Sequence, residues 1–132
     1  MSDEQALEAL RRMHENQDDA DARATLEAWT EQKDRWLDGL AEAAPEFHPV
    51  ATIYNDITKA ILYYQAGFTD NGIEALEQIG PSSDTDPRPD KGTEALQLMK
   101  RGLAGEDVAE QLESIRRYVS EKITNVALQN PS

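Results

Sequence analysis

The sequence predicts an all-α fold, a single bundle of five or six helices with a long N-terminal helical region. Apolar residues recur at steps of three and four along most of the chain, which is the period of a helix with one buried face. No segment alternates polar and apolar residues over a useful length, and β-branched residues do not cluster as they do in strands. A chain of 132 residues is long enough for one core and too short for two, so residues 1–132 are predicted to form a single domain.

Residues 1–44 are predicted to form an N-terminal helical arm. Acidic side chains occupy its first turn, where the helix dipole favours them. Residues 15–21 have almost no apolar side chains, so they form either a break or a solvated turn of a continuing helix. Pro45 and Pro49 end the arm, because proline lacks an amide donor and forces the preceding residue out of the helical region. A seam at helical spacing, apolar except for one lysine, runs along the arm and consists of Leu26, Trp29, Lys33, Trp36 and Leu40.

Residues 49–79 are predicted to form a helical hairpin. Its first helix is the most hydrophobic of the chain, with Pro49 at its start and Gly67, which readily takes a left-handed conformation, at its end. Because Ile57 and Ile61 lie in the middle of its apolar face, both side chains should be nearly fully buried.

The second helix of the hairpin is predicted to begin at a capping-box pattern, Asn71-x-x-Glu74, and to end at Gly80. Residues 63–67, followed by residues 73–76, resemble one tetratricopeptide-type helical hairpin. Such arrays need at least three repeats to bury their apolar faces, and the resemblance covers about one. What it implies is an antiparallel pair of helices.

Residues 80–92 are predicted to form a Pro-rich loop, because they include three prolines and no large apolar side chain. This loop should be the most mobile internal segment and the first cut by trypsin, at Arg88 or Lys91. Residues 93–128 are predicted to form a C-terminal helical pair, with a short helix over 93–101 and a long helix over 106–128.

The composition is strongly acidic, with 26 Asp and Glu against 13 Lys and Arg and a net charge of -13. Such a charge bears on solubility and on partners rather than on fold. It indicates either adaptation to salt or a negative surface that meets a basic partner. The absence of cysteine excludes disulfides, thiolate nucleophiles and Cys-based zinc sites. No apolar run approaches the ~20 residues that cross a bilayer, and the acidic N-terminus is unlike a signal peptide, so a cytoplasmic protein without a membrane partner is expected.

Candidate sites for chemistry are few. His14 and Asp18 lie four residues apart on one helix face and are able to share a metal, but a site needs three or four ligands and His48 stands alone. Neither a metal site nor a cofactor is therefore predicted. No serine lies in a Gly-x-Ser-x-Gly pattern, so no catalytic residue is assigned. The basic residues occur in runs too short to hold a phosphate backbone, which argues against direct binding of nucleic acid.

The function predicted from these observations is protein binding through a helical surface, as an adaptor, a chaperone-like protein or a regulator, with a partner protein or as a homodimer. The seam Leu26, Trp29, Lys33, Trp36 and Leu40 is the candidate partner-binding surface. Trp29 is the better candidate for a partner contact because its neighbours in sequence are polar, whereas Trp36 is expected to pack onto the bundle. Two alternatives stay open: a metal-binding or enzymatic bundle that uses the region of His14, and an acidic decoy that inhibits a DNA-binding protein.

Overall fold

Six α-helices and no strand make up the described part of the chain, residues 3–79 and 89–129 of a computed structural model. This confirms the predicted all-α fold. In chain order the helices are α1 (Asp3–Glu15), α2 (Ala20–Ala43), α3 (His48–Ala66), α4 (Thr69–Ile79), α5 (Pro89–Leu103) and α6 (Ala109–Gln129).

Helix α3 is the centre of the fold and contacts each of the other five helices. It is able to do so because small and apolar side chains cover more than one of its faces. Ala51, Leu62 and Ala66 pack on the side of α1 and α2, whereas Ile57 and Ile61 pack on the side of α4, α5 and α6. Ile57 and Ile61 are both fully buried, as predicted.

In the part of the chain that the structure describes, the core consists of three clusters arranged around α3. The largest joins α3 to α4, α5 and α6 and includes Ile57, Ile61, Leu76, Met99, Leu112 and Val119. The second joins α3 to the α1–α2 pair and includes Ala6, Leu10, Trp29, Leu62 and Ala66. The third lies at the C-terminal end of α2 and includes Leu37, Leu40, Ala44 and Ala51. The predicted N-terminal arm is therefore an antiparallel hairpin, α1–α2, that packs against α3.

The ends of the helices follow the sequence signals in most places. Gly67 closes α3 with a φ of 112°, which lies in the left-handed region that glycine tolerates best. Asp19 caps α2, since its Oδ1 accepts a hydrogen bond from the Ala22 amide at 3.0 Å. The polar residues before Asp19 thus form a break between two helices rather than a turn of one continuous helix.

Three predicted helix starts differ from the structure, those of α4, α5 and α6. Helix α6 begins at Ala109, not at residue 106. Helix α4 begins at Thr69, so Asn71 lies within its first turn and does not cap it. Helix α5 begins at Pro89, not near Thr93, because proline is well suited to the first position of a helix, where its missing amide donor has no partner to lose. The predicted loop therefore ends before Pro89, and the rest of it, residues 80–88, lies outside the described residues.

The hairpin of α3 and α4 is antiparallel and unusually close at Gly72. A Cβ atom at that position would lie 2.7 Å from the backbone oxygen of Ala60. Glycine at residue 72 therefore permits an approach of the two backbones that alanine would not.

Among the described helices, none combines the length and the apolar character that crossing a membrane requires.

Candidate functional site

The seam predicted from α2 is largely occupied by contacts within the chain. Trp29 is 2% exposed and Leu40 is 3% exposed, so neither side chain is available to a partner in this fold. Leu26, Lys33 and Trp36 are partly buried. The relative accessibility predicted for the two tryptophans is therefore wrong, since Trp36 keeps exposed surface and Trp29 does not.

The burial of Trp29 has a clear physical cause. The side chain packs against Leu10 and Leu62, and its indole Nε1 donates a hydrogen bond to Asp3 Oδ1 at 3.2 Å. The amines of Lys33 and Lys59 lie 5.7 and 6.0 Å from the centre of the ring, within the range of cation–π attraction. The polar neighbours of Trp29 in sequence lie on other faces of α2, and the hairpin with α1 covers the face that carries Trp29.

His14 lies at the end of α1, where its ring meets Phe68 edge to face with the centroids 5.1 Å apart. The ring also covers Gly67, because a Cβ atom added there would lie 2.9 Å from His14 Nε2. Among the side chains that the structure describes, no three His, Asp or Glu groups come together as a metal site would require. The described contacts of His14 are thus packing contacts with the α3–α4 turn.

A cluster of ion pairs joins α1 to α6. Arg116 is 7% exposed and donates hydrogen bonds to Glu113 and to Glu4, the latter at 3.3 Å. Gln65 of α3 donates to the same Glu113 at 2.8 Å. The hydrogen bonds that Glu113 accepts from Arg116, foremost, and from Gln65 lower the pKa of its carboxyl group to about 2. Arg117, four residues after Glu113, also pairs with that carboxylate at 3.5 Å, but the buried arginine of this cluster is Arg116.

A groove of about 670 Å³ lies between α3 and α4. Its walls come from one stripe of each helix: Ile53, Asp56, Lys59 and Tyr63 of α3, and Asn71, Glu74, Ala75 and Gln78 of α4. Ile53 and Ala75 also pack against the main core cluster, so the groove has an apolar base. The remaining lining residues provide polar groups of both charges around it.

Asp56 is the most unusual group in the groove. Its side chain is half-buried, and burial raises the pKa of its carboxyl group, an effect that the charge of Lys59 opposes. No hydrogen bond or ion pair joins Asp56 to another residue in the described part of the chain. The groove therefore contains a carboxylate that has lost part of its hydration and has gained no donor in exchange.

Sequence reasoning missed this groove, although a signal was present. Asp56, Lys59 and Tyr63 occur at steps of three and four within the most hydrophobic helix of the chain. A polar stripe on such a helix indicates a face that the core does not cover completely. What the sequence does not reveal is that the stripe lies opposite Asn71, Glu74 and Gln78 of the next helix.

No protein-family model matches this chain, and no curated protein or solved structure is significantly similar to it.

Proposed function

We propose that this chain is a protein-interaction module that binds a segment of a partner protein in the groove between α3 and α4. The observation that supports this function is the groove itself, with an apolar base at Ile53 and Ala75 and polar groups along both sides. Hydrophobic grooves with polar rims are a common means of binding helical segments.

The dimensions of the groove suit a peptide. Its α3 wall extends over eleven residues, from Ile53 to Tyr63, and the rise between these two residues is about 15 Å. This length matches about three turns of a bound helix or about five residues of an extended strand. A volume of 670 Å³ also lies within the usual range of ligand sites, about 300–1,000 Å³.

The polar groups of the groove favour binding over catalysis. The half-buried acid of the groove, Asp56, interacts with Lys59 through charge alone. The described lining residues include no nucleophile hydrogen-bonded to a base, which is the arrangement that covalent catalysis requires. An adaptor or regulatory role, as predicted from the sequence, is therefore the function we favour.

Self-association is a second proposal, and it rests on Trp36. This side chain packs against the cluster of Leu37 and Leu40 beside Phe47 and retains partial exposure. Tryptophan is enriched at the energetic centres of protein interfaces. Sedimentation at high micromolar concentration should show a dimer that Trp36→Ala weakens; a wild-type chain that remains monomeric would refute this proposal.

The groove proposal is tested by selecting a random displayed-peptide library against the wild-type chain and two variants. Ala75→Gln fills the base of the groove, whereas Ala24→Gln makes the same change at an exposed position of α2. Peptides enriched on the wild type should bind Ala24→Gln equally and lose affinity for Ala75→Gln, with both variants melting as folded chains. If no enriched peptide distinguishes the two variants, the groove is not the binding site.

A further inference from the structure

We propose that the groove selects a partner segment by a cationic side chain, arginine above all, that pairs with Asp56. This inference rests on the proposed function and adds to it the chemical class of the partner. The groove would then recognise a basic peptide, with one guanidinium group placed against the carboxylate of Asp56 and apolar side chains of the same peptide on Ile53 and Ala75.

The first support is the unsatisfied state of Asp56. The carboxylate lines the groove and is half-buried, yet the described residues give it no hydrogen-bond donor. The nearest cation, Lys59, does not form an ion pair with it, and the Lys59 amine instead lies 6.0 Å from the centre of the Trp29 ring. A half-buried carboxylate without a donor is unfavourable in the free protein, and a bound cation would remove that cost.

The second support is the charge of the surroundings. The titratable groups that line the groove with Asp56 are Lys59 and Tyr63 of α3 and Glu74 of α4, so the two carboxylates exceed the one amine by a single negative charge. The whole chain carries a net charge of -13, and a field of that sign attracts basic segments and disfavours acidic ones. The charge of the groove lining and the net charge of the whole chain thus both favour a basic partner.

Arginine fits this position better than lysine. A carboxylate accepts two parallel hydrogen bonds from the planar guanidinium, whereas an ammonium group acts as a point charge. Asn71 and Gln78 lie across the groove on α4 and offer amide oxygens to the remaining guanidinium donors. An arginine side chain thus finds acceptors on both walls.

The test begins with the peptides selected from the random library. Groove-dependent clones should be enriched in arginine. The strongest clone is then synthesised with its arginine and, separately, with citrulline, which retains the shape and loses the charge. Calorimetry at neutral pH should show that Asp56→Asn weakens the arginine peptide about tenfold and leaves the citrulline peptide nearly unchanged.

The matched control is Asp70→Asn, which removes one carboxylate from an exposed position of α4 outside the groove lining. It should leave the affinity of both peptides nearly unchanged. Asp56→Asn should also melt no lower than the wild type, because the substitution removes a half-buried charge whose burial outweighs the attraction of Lys59 and to which no described residue donates a hydrogen bond. Lower melting would show that Asp56 has a partner in the folded chain and would overturn the inference.

The outcomes separate this inference from the proposed function. A library that yields no groove-dependent peptide contradicts both. Groove-dependent peptides without arginine, acidic peptides, or an equal response of the arginine and citrulline peptides to Asp56→Asn would overturn the inference alone and leave the groove as a binding site of different specificity.

Discussion

Replacement of Trp29 by alanine should lower the free energy of unfolding by about 3–5 kcal/mol, the usual cost of deleting a large aromatic side chain from a core. The burial of Trp29, at 2% exposure, places it in that class. The lost hydrogen bond to Asp3 adds little, because Lys33 at 3.7 Å and Arg116 at 3.9 Å continue to neutralise that carboxylate. For a domain of this size, about 4 °C of melting temperature accompanies each kcal/mol, so the expected loss is about 12–20 °C.

The measurement is urea unfolding followed by circular dichroism, since the substitution removes one of the two tryptophans that would report by fluorescence. Trp36→Ala is the matched control, because it deletes the same side chain from a partly exposed position. It should cost less than half as much. If Trp29→Ala costs no more than Trp36→Ala, then Trp29 is not a core residue, and the seam on α2 is again a candidate surface for a partner.

Three further predictions follow from charge and backbone geometry. Because the pKa of Glu113 is lowered from 4.5 to about 2 in the folded state, its ion pairs stabilise the fold above the ordinary carboxyl pKa and lose that effect as the pH falls between these values. Acid titration of unfolding should therefore show a shallower loss in Glu113→Gln than in the wild type, and equal slopes would contradict the assignment. Gly72→Ala should destabilise the chain by about 1–3 kcal/mol, since its methyl group meets the Ala60 oxygen. Gly39→Ala, with open space around its Cβ, should stabilise the chain by about 0.5–1 kcal/mol. If both substitutions shift the melting temperature in the same direction, the contact at Gly72 is refuted. If the acidity is an adaptation to salt, the melting temperature should rise from low to molar salt. The reason is that added salt shortens the Debye length below its ~8 Å at physiological salt and so screens the repulsion among carboxylates. A melting temperature that stays flat or falls with salt would favour a basic partner instead.

The helices were predictable because their signals are local. The steps of three and four in apolar residues, Gly67 at the end of α3, and the helix-breaking prolines around residue 45 all act within a few positions of where they occur in the sequence. Helix starts were harder to predict. The pattern at Asn71 satisfies a capping box, yet α4 begins at Thr69, since sequence pattern does not decide which of several polar residues caps a helix.

The candidate site was not predictable to the same degree because it depends on which helices meet. Trp29 lies in a polar stretch of sequence and is nevertheless buried, because α1 returns along α2 and covers it. Asp56 lies within an apolar stretch and nevertheless lines a groove, because α4 packs beside α3 rather than over its polar stripe. Sequence neighbours do not determine exposure in either case; tertiary contacts do.

Under the proposed function, stability and recognition make opposite demands on helix α3, and both demands fall on Asp56. An apolar or amide side chain at position 56 would fold at lower cost, since the carboxylate is half-buried and no described residue donates to it. The fold tolerates that cost because the adjacent Ile57 and the nearby Ile61 and Leu62 are fully buried and hold α3 from both sides. Removing the charge should therefore leave the bundle at least as stable while weakening the binding of the basic peptide that we propose as its partner. A residue that improves binding at the expense of folding is one whose role lies in the complex rather than in the free chain.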